Sequence, residues 1–368
     1  MRISYVLPLE MNSYSGVLQK VRQQVSEWEK QGHQVTCFYI SSKPLGRSID
    51  LNSNETLIHL NFLRRYNFPR ILARSIGLVF LKRILKYSKP DILYYRYVLW
   101  FPGISTFLKG YNTIIEMNSH DINEFESKGF FFKVSYKKLR KLVLKSTSAT
   151  ISVSENIRDS MEGYVDKNYL IPNGFSFDNS VPKKLKNRPN KIVFISTPGQ
   201  YWQGLDIIVS LMSRLTNYTL DVVGWTKNDF AKKYPDVIIG TNIIFHGYKL
   251  KDDFNKIMRD CGYAFNAFAM HRKGMTHNSA LKTAEYLNNN LAIISGYIET
   301  GLNTDAILSV ESYNSVHSYI HKIEDFLERW KTKDINLDKI IEQIGIEQTE
   351  RKRLEVFNKS LESHAEEY

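Results

Sequence analysis

Cysteine is scarce in this sequence, which has only Cys37 and Cys261 among its 368 residues. A single pair so far apart provides neither a disulfide framework nor the close spacing of zinc ligands. Chains that are poor in disulfides are typical of reducing compartments, so we expect the protein to be cytoplasmic.

Long apolar runs are also missing. No stretch approaches the ~20 apolar residues that a helix needs to cross a bilayer. We expect no signal peptide, because the apolar residues 3–7 are too few for its central region and Glu10 follows closely. The chain has 43% hydrophobic residues and 368 residues in total. Since single cores stop growing near ~250–300 residues, we expect two globular domains.

Acidic residues are absent from two segments, and the charge is therefore uneven. The net charge is +12, and residues 64–89 carry eight Arg and Lys while residues 133–145 carry six. Aromatic side chains interleave with these cations, as in helices that lie on anionic lipid. We predict a membrane- and acceptor-facing surface on helices at residues 70–87 and 130–145, with cations at Arg70, Arg74, Lys137, Lys138 and Lys141.

Two other interpretations of the basic segments remain open. Binding to nucleic acid requires a similar charge, but no recognised nucleic-acid motif accompanies it, and we expect no such partner. A solvated basic face without any ligand is the simpler alternative.

Strand and helix patterns alternate along both halves of the chain. Residues 2–9 predict a strand, and Gly16 opens a helix with apolar residues at the spacing of one helical face. A second strand follows from residue 34, and such a unit begins a Rossmann-like domain. After a polar stretch, a second alternation starts. We predict an N-terminal domain at residues 1–174, a linker at 175–190, a C-terminal domain at 191–345 and a last helix at 346–368.

Residues 276–295 contain the most informative pattern. Asn278 and Ser279 are favoured N-cap residues for a helix beginning near Ala280, and residues 291–294 follow as a buried strand. A helix N-terminus at the carboxyl ends of parallel strands offers free amides, which suit a phosphate. Glu285, one turn further, can accept two ribose hydroxyls. The same residues also fit an ordinary α/β crossover with a solvated glutamate.

The letters of this segment, SALKTAEYLNNNLAIIS, resemble the donor-site segment of retaining GT-B glycosyltransferases of family 4. SGVLQKV…WEKQGHQVT, YYRY…IIEMN and VS…IPNG are similar to further patterns of that family, so the resemblance covers nearly the whole chain. It implies an α/β GT-B fold with two Rossmann-like domains facing across a cleft. It also implies that the helix at 346–368 returns to the N-terminal domain.

The resemblance implies site residues as well. Together with the helix-start amides and the cations nearest in sequence, it gives the predicted donor-binding residues Gly16, Gly204, Arg272, Lys273, His277, Asn278, Ser279, Ala280, Leu281 and Glu285. The catalytic residues are His120, Asp121 and Lys282, with His120 near the donor sugar. A loop-capping His–Asp pair remains the alternative for His120 and Asp121, and Glu116 fits an ion pair with nearby basic residues.

Three of the departures from the family pattern concern the donor site. His277 stands in place of the first Glu of a Glu-x7-Glu pattern, and Gln200 and Gln203 stand where cations that bind the diphosphate are usual. The missing charge is expected from three neighbours, Arg272, Lys273 and Lys282, of which we favour Lys282. The chain lacks an Asp-x-Asp pair, so we expect no metal and no cofactor besides the donor substrate.

The implied function is retaining transfer of a sugar from a nucleotide-diphosphate sugar to a glycan or polyprenyl-linked acceptor. We expect this reaction in bacterial surface polysaccharide synthesis, on the inner face of the cell membrane. Two alternatives stay open. One is a nucleotide-sugar epimerase or hydrolase on the same fold. The other is a protein that has lost catalysis and binds within an assembly complex, which the glutamines at 200 and 203 favour.

Overall fold

The computed structural model describes residues 1–8, 16–41, 50–60, 70–124, 130–178, 187–312 and 316–366. The chain divides into two compact units. The first comprises Met1–Gly174 and Ile346–Tyr368, and the second comprises Phe175–Gly345. Half of the stretch that we predicted as a linker, residues 179–186, lies outside the described residues.

The first unit contains a parallel sheet of seven strands in the order β3-β2-β1-β4-β5-β6-β7. The strands are β1 (Arg2–Leu7), β2 (Gln34–Ser41), β3 (Glu55–His59), β4 (Ile92–Arg96), β5 (Thr113–Met117), β6 (Ala149–Ser152) and β7 (Asn168–Leu170). This order contains the 3-2-1-4-5-6 arrangement of the Rossmann fold. The carboxyl ends of all seven strands therefore meet at one edge.

Helices connect these strands. They are α1 (Gly16–Lys30), α2 (Arg70–Ser88), α3 (Ile104–Lys109), α4 (Asp121–Glu124), α5 (Phe130–Leu144) and α6 (Glu155–Asp159). The apolar face predicted for α1 is confirmed, because Val21, Val25 and Trp28 are buried. Gly32 follows the helix with a φ of 83°, a left-handed conformation that glycine adopts without steric cost.

The second unit contains a parallel sheet of six strands in the order β10-β9-β8-β11-β13-β15, and β12 pairs separately with β14. The strands are β8 (Lys191–Ile195), β9 (Thr219–Val223), β10 (Ile243–Gly247), β11 (Tyr263–Phe265), β12 (His277–Asn278), β13 (Ala292–Ser295), β14 (Ile298–Glu299) and β15 (Ile307–Ser309). The main helices are α7 (Leu205–Met212), α8 (Lys227–Lys233), α9 (Lys251–Arg259), α10 (Leu281–Asn288), α11 (Ile320–Arg329) and α12 (Leu337–Ile344).

A last helix, α13 (Ile346–Glu366), packs in the first unit. Its Phe357 ring lies 5.5 Å from the ring of Trp28 and 5.1 Å from the ring of Tyr94. Such aromatic contacts contribute about 0.5–1.5 kcal/mol each beyond the buried area. Gly345 separates α12 from α13 with an extended ψ of 146°.

The start of α10 differs from the expectation. Asn278 and Ser279 do not cap this helix, since the residue at its N-cap position is Ala280, which makes no side-chain capping bond. Asn278 instead belongs to β12, whose partner is β14. After the helix end, Asn290 has a φ of 57° in the left-handed region that asparagine tolerates.

Candidate functional site

Lys282 lies at the carboxyl end of a central strand of the second unit. Its Nζ donates to the carbonyl of Ile195, the last residue of β8, at 2.7 Å and to Oε1 of Gln203 at 3.3 Å. Burial lowers the pKa of Lys282 to about 8, although the charge of Glu285 acts in the opposite direction. The amine is thus held where ligands bind in open α/β sheets.

Glu285 follows three residues later on α10 and is only partly exposed. Burial raises the pKa of its carboxyl group, and the charges of Lys251 and Lys282 limit that rise. That this carboxylate accepts ribose hydroxyls stays a prediction.

The two glutamines that replace the usual cations form a chain of amide contacts. Gln203 donates from Nε2 to Oε1 of Gln200, and its own Oε1 accepts from Lys282. Gly204 follows with a φ of 71°, and a Cβ there would lie 2.8 Å from the backbone nitrogen of Ala269. Gln203 therefore adds no charge but orients the nearby lysine.

Arg272 and Lys273 lie in a short 3-10 helix, Met270–Lys273, and both are engaged. Arg272 donates to both carboxylate oxygens of Asp206, at 2.9 and 2.5 Å, and the hydrogen bond to Asp206 raises its pKa. The Lys273 ammonium lies 3.6 Å from the ring centre of Trp202 and is buried. Arg272 thus pairs with a carboxylate, whereas Lys282 donates to two neutral oxygens.

A carboxylate occupies the start of α10. Oε1 of Glu299 accepts from the backbone N–H of Ala280 at 2.8 Å, and Oε2 accepts from the hydroxyl of Thr283 at 2.5 Å. The prediction of a free amide at Ala280 is therefore wrong. Glu299 also places a negative charge at the helix start, which reduces the positive potential that the helix dipole would offer to a phosphate there. No local pattern indicates this contact, because Glu299 comes 19 residues after Ala280.

The remaining donor-site residues of this unit surround α10. His277 is partly exposed in β12, and its Nδ1 lies 3.0 Å from the hydroxyl of Thr276. Ser279 is buried, whereas Leu281 is partly exposed as the first helical residue. Residues 277–285, which include Lys282, thus lie around the start of α10. Their contacts with a donor stay predictions.

His120 follows β5 in the first unit. Its Nδ1 accepts from the backbone N–H of Asn123 at 3.4 Å, so in the neutral imidazole the proton is on Nε2. Asp121 is buried, and its Oδ2 accepts from Arg140 at 2.9 Å and from Tyr136. These contacts give Asp121 a structural role that the sequence did not indicate. Gly16 begins α1 and is exposed.

Glu116 is the centre of a buried cluster in the same unit. Its carboxylate accepts from Lys20, from Tyr5 and from Asn118, each at 2.8 Å. Arg96 donates to it at 3.3 Å. Burial alone would raise the pKa of Glu116, but the charges of the nearby Lys and Arg hold it well below its usual value. The ion-pair interpretation of Glu116 is thus confirmed.

The basic helices α2 and α5 expose apolar side chains beside their cations. On α2, Val79 is 56% and Tyr87 is 86% exposed, and on α5 Leu142 is 54% exposed. Lys137, Lys138 and Lys141 are exposed and Arg74 is partly buried, while the side chain of Arg70 lies outside the described residues. No helix in the described ranges is both long and apolar enough to span a membrane. Nor do those ranges contain a group of three or more His, Cys, Asp or Glu residues placed to hold a metal.

Part of the chain matches a known protein family, and nearly all of it is similar to solved structures. Residues 14–179 match the family model described as Glycosyltransferase Family 4. No curated protein matches the chain. Sucrose-phosphate synthase from Thermosynechococcus elongatus is similar in structure, with a TM-score of 0.71 at 12% identity over 98% of this chain and 99% of that one.

Two other solved structures are similar at comparable levels. TarM has a TM-score of 0.66 at 11% identity over 97% of this chain and 98% of that one. An alpha-glucosyltransferase in complex with UDP and a 13-mer DNA has a TM-score of 0.65 at 12% identity over 97% and 99%. These likenesses show the GT-B fold. The family match over residues 14–179 and the GT-B fold together support a glycosyltransferase similar to family 4.

Proposed function

We propose that the protein transfers a sugar from a nucleotide-diphosphate sugar, with retention, to a glycan or lipid-linked acceptor in bacterial surface polysaccharide synthesis. One observation supports this proposal above the others. The amine of Lys282 lies at the carboxyl end of β8, with the carboxylate of Glu285 one turn further along α10. The ammonium group suits the negative charge of a diphosphate, and the carboxylate can accept hydrogen bonds from the hydroxyls of a ribose.

The leaving nucleotide diphosphate gains negative charge in the transition state, and catalysis requires that charge to be neutralised. Within the described residues, the ammonium group of Lys282 donates no hydrogen bond to a carboxylate, so its positive charge can neutralise the diphosphate. Because Glu299 already binds the amide of Ala280, the helix start contributes less than a free one would. We therefore assign most of the neutralisation to Lys282, without a metal or a cofactor.

We assign the acceptor substrate to the first unit, where the Nε2–H group of His120 is a hydrogen-bond donor at the carboxyl edge of the sheet. We propose that α2 and α5 hold the protein on anionic lipid at the inner face of the cell membrane. Exposed Val79, Tyr87 and Leu142 support lipid rather than nucleic acid, since apolar side chains gain free energy in a bilayer interface but not beside phosphates in water.

The test is a donor screen followed by one substitution. UDP-, GDP- and dTDP-sugars are added to the full chain, and thermal shift and sugar release are measured. With the donor found, Lys282→Ala is expected to lower kcat about a hundredfold or more, which is ~3 kcal/mol for a lost electrostatic contact. Lys256→Ala is the control, because that lysine is exposed on α9 of the same unit.

Two results would contradict the assignment. If turnover survives in Lys282→Ala but is lost in Arg272→Ala, the 3-10 helix supplies the charge instead. If no nucleotide sugar shifts the melting temperature or is turned over by the wild type, the proposed donor class is wrong.

A further inference from the structure

We propose that Arg96 forms an anion-binding site at the carboxyl edge of the first-unit sheet, which takes a phosphate or carboxylate group carried by the acceptor. This inference rests on the proposed function, because that function assigns the acceptor to the first unit. It adds the chemical class of the acceptor and a residue that binds it.

The first step is a charge imbalance around Glu116. Three cations, Lys20, Arg96 and Arg353, lie within 4 Å of this carboxylate, at 2.8, 3.3 and 3.8 Å. The other carboxylate of the cluster is Glu350, which pairs with Arg353. Three positive groups thus face two negative ones, and burial raises the pKa of Glu350, so the second negative charge is itself costly.

Most of this cluster is closed to solvent. The side chains of Glu116, Glu350 and Arg353 are 0% exposed and that of Lys20 is 2% exposed. The side chain of Arg96 is 13% exposed, which makes it the member that a ligand can reach. An uncompensated charge at such a site costs free energy, and a bound anion would remove the imbalance.

The second step concerns the donors of Arg96. A guanidinium has five N–H donors in a planar fork, and two of them match the oxygens of a phosphate or carboxylate. Within the described residues, Arg96 makes one hydrogen bond, from Nη1 to Oε2 of Glu116 at the long distance of 3.3 Å. Its remaining donors are thus available to water or to a ligand.

The third step is position. Arg96 is the last residue of β4 and stands in register with Glu116 on β5. Asn118 and His120 follow β5 at the same edge, and Lys20 fixes Asn118 by donating to its Oδ1 at 2.7 Å. An anion on Arg96 would therefore bind at the edge that carries His120, the residue expected to meet the sugar.

The experiment measures binding of inorganic pyrophosphate and of glucuronate to the full chain by calorimetry. In Arg96→Gln, affinity for at least one of the two probes is expected to fall tenfold or more. Arg2→Gln is the matched control, because Arg2 begins the neighbouring strand β1 at the opposite edge and pairs with Asp91. That control should bind as the wild type does. Loss in both variants, or in neither, overturns the proposal.

Two further arms separate the alternatives. Arg96→Lys keeps a charge beside Glu116 but loses the fork, so it should retain the melting temperature while binding the probe more weakly; unchanged binding would overturn a fork-specific site. Sedimentation with phosphatidylglycerol vesicles should be equal in wild type and Arg96→Gln, and a loss there would assign Arg96 to lipid headgroups instead of the acceptor. If the donor screen succeeds while Arg96→Gln binds both probes normally, the proposed function stands and this inference falls.

Discussion

The two sheet edges of this protein treat their cations differently. In the first unit, Lys20 and Arg353 contact the buried carboxylates Glu116 and Glu350. In the second unit, Lys282 is held by a backbone carbonyl and a glutamine side chain. A carboxylate neutralises the cation with which it pairs and holds it in place. Neutral oxygens orient a cation without neutralising it, so its charge can still bind a ligand. The first arrangement stabilises the fold, and we propose that the second prepares a site for the donor.

The largest expected effect would break the structural arrangement. Glu116→Gln keeps the shape of the side chain but leaves Lys20 and Arg353 beside each other without their shared counter-charge. Breaking a buried ion pair in this way costs about 3–5 kcal/mol. We expect urea unfolding to show a loss of this size. Glu347→Gln is the control, because Glu347 pairs with Arg351 on the exposed face of α13 and such pairs contribute ~0–1 kcal/mol. If both variants lose the same free energy of unfolding, the buried cluster stabilises the fold no more than the exposed pair does.

The next effect tests the prepared site. Glu285→Ala removes the carboxylate expected to bind the ribose, and nucleotide binding should weaken by ~1.5–3 kcal/mol, the scale of hydrogen bonds to charged groups. Stability should change little, since the carboxylate is partly exposed. Calorimetric titration with the nucleotide checks this, with Glu328→Ala on α11 as the control. Nucleotide affinity equal to that of the wild type would remove Glu285 from the site.

Much of the fold could be predicted because its signals are local. Apolar periodicity predicted the helix α1, and the alternation of strand and helix patterns predicted an α/β fold. Contacts between distant residues gave no such signal. The whole second unit lies between Glu116 and Arg353 in the sequence, and Glu299 reaches Ala280 through the pairing of β12 with β14. The capping prediction for Asn278 failed for the same reason, because strand pairing outweighed a local preference.

The acid–base behaviour of Lys282 gives a third, smaller effect. Its pKa is lowered to about 8, so the amine is charged below that pH and loses its proton as the pH rises through it. If the charge is needed, kcat/KM should fall about tenfold per pH unit above ~8. Lys282→Arg keeps its charge and should move this fall to higher pH.

Stability provides the control for that pH profile. Lys20 and Lys282 both have a pKa of about 8 in the folded protein, below the ordinary value of 10.5. The unfolded chain therefore binds more protons between pH 8 and 10.5, and these two groups make folding more favourable as the pH rises through that range. A loss of activity that runs parallel to unfolding, or one that Lys282→Arg leaves in place, would contradict a role for the Lys282 charge.

The smallest effect per residue concerns the basic helices α2 and α5, which we propose to lie on lipid and whose exposed cations stand beside solvent. Each Lys or Arg near an anionic membrane contributes ~1 kcal/mol, and salt screens this contribution. Reversing Lys137, Lys138 and Lys141 to Glu should abolish sedimentation with anionic liposomes and leave donor binding unchanged. The control reverses Lys227, Lys232 and Lys233, three exposed lysines on α8 of the second unit, and should sediment as the wild type does. Substituting exposed Tyr87 on α2 by Ser should weaken binding further at high salt, because the apolar contribution is not screened. Equal binding to neutral and anionic liposomes would show that these cations do not hold the protein on lipid.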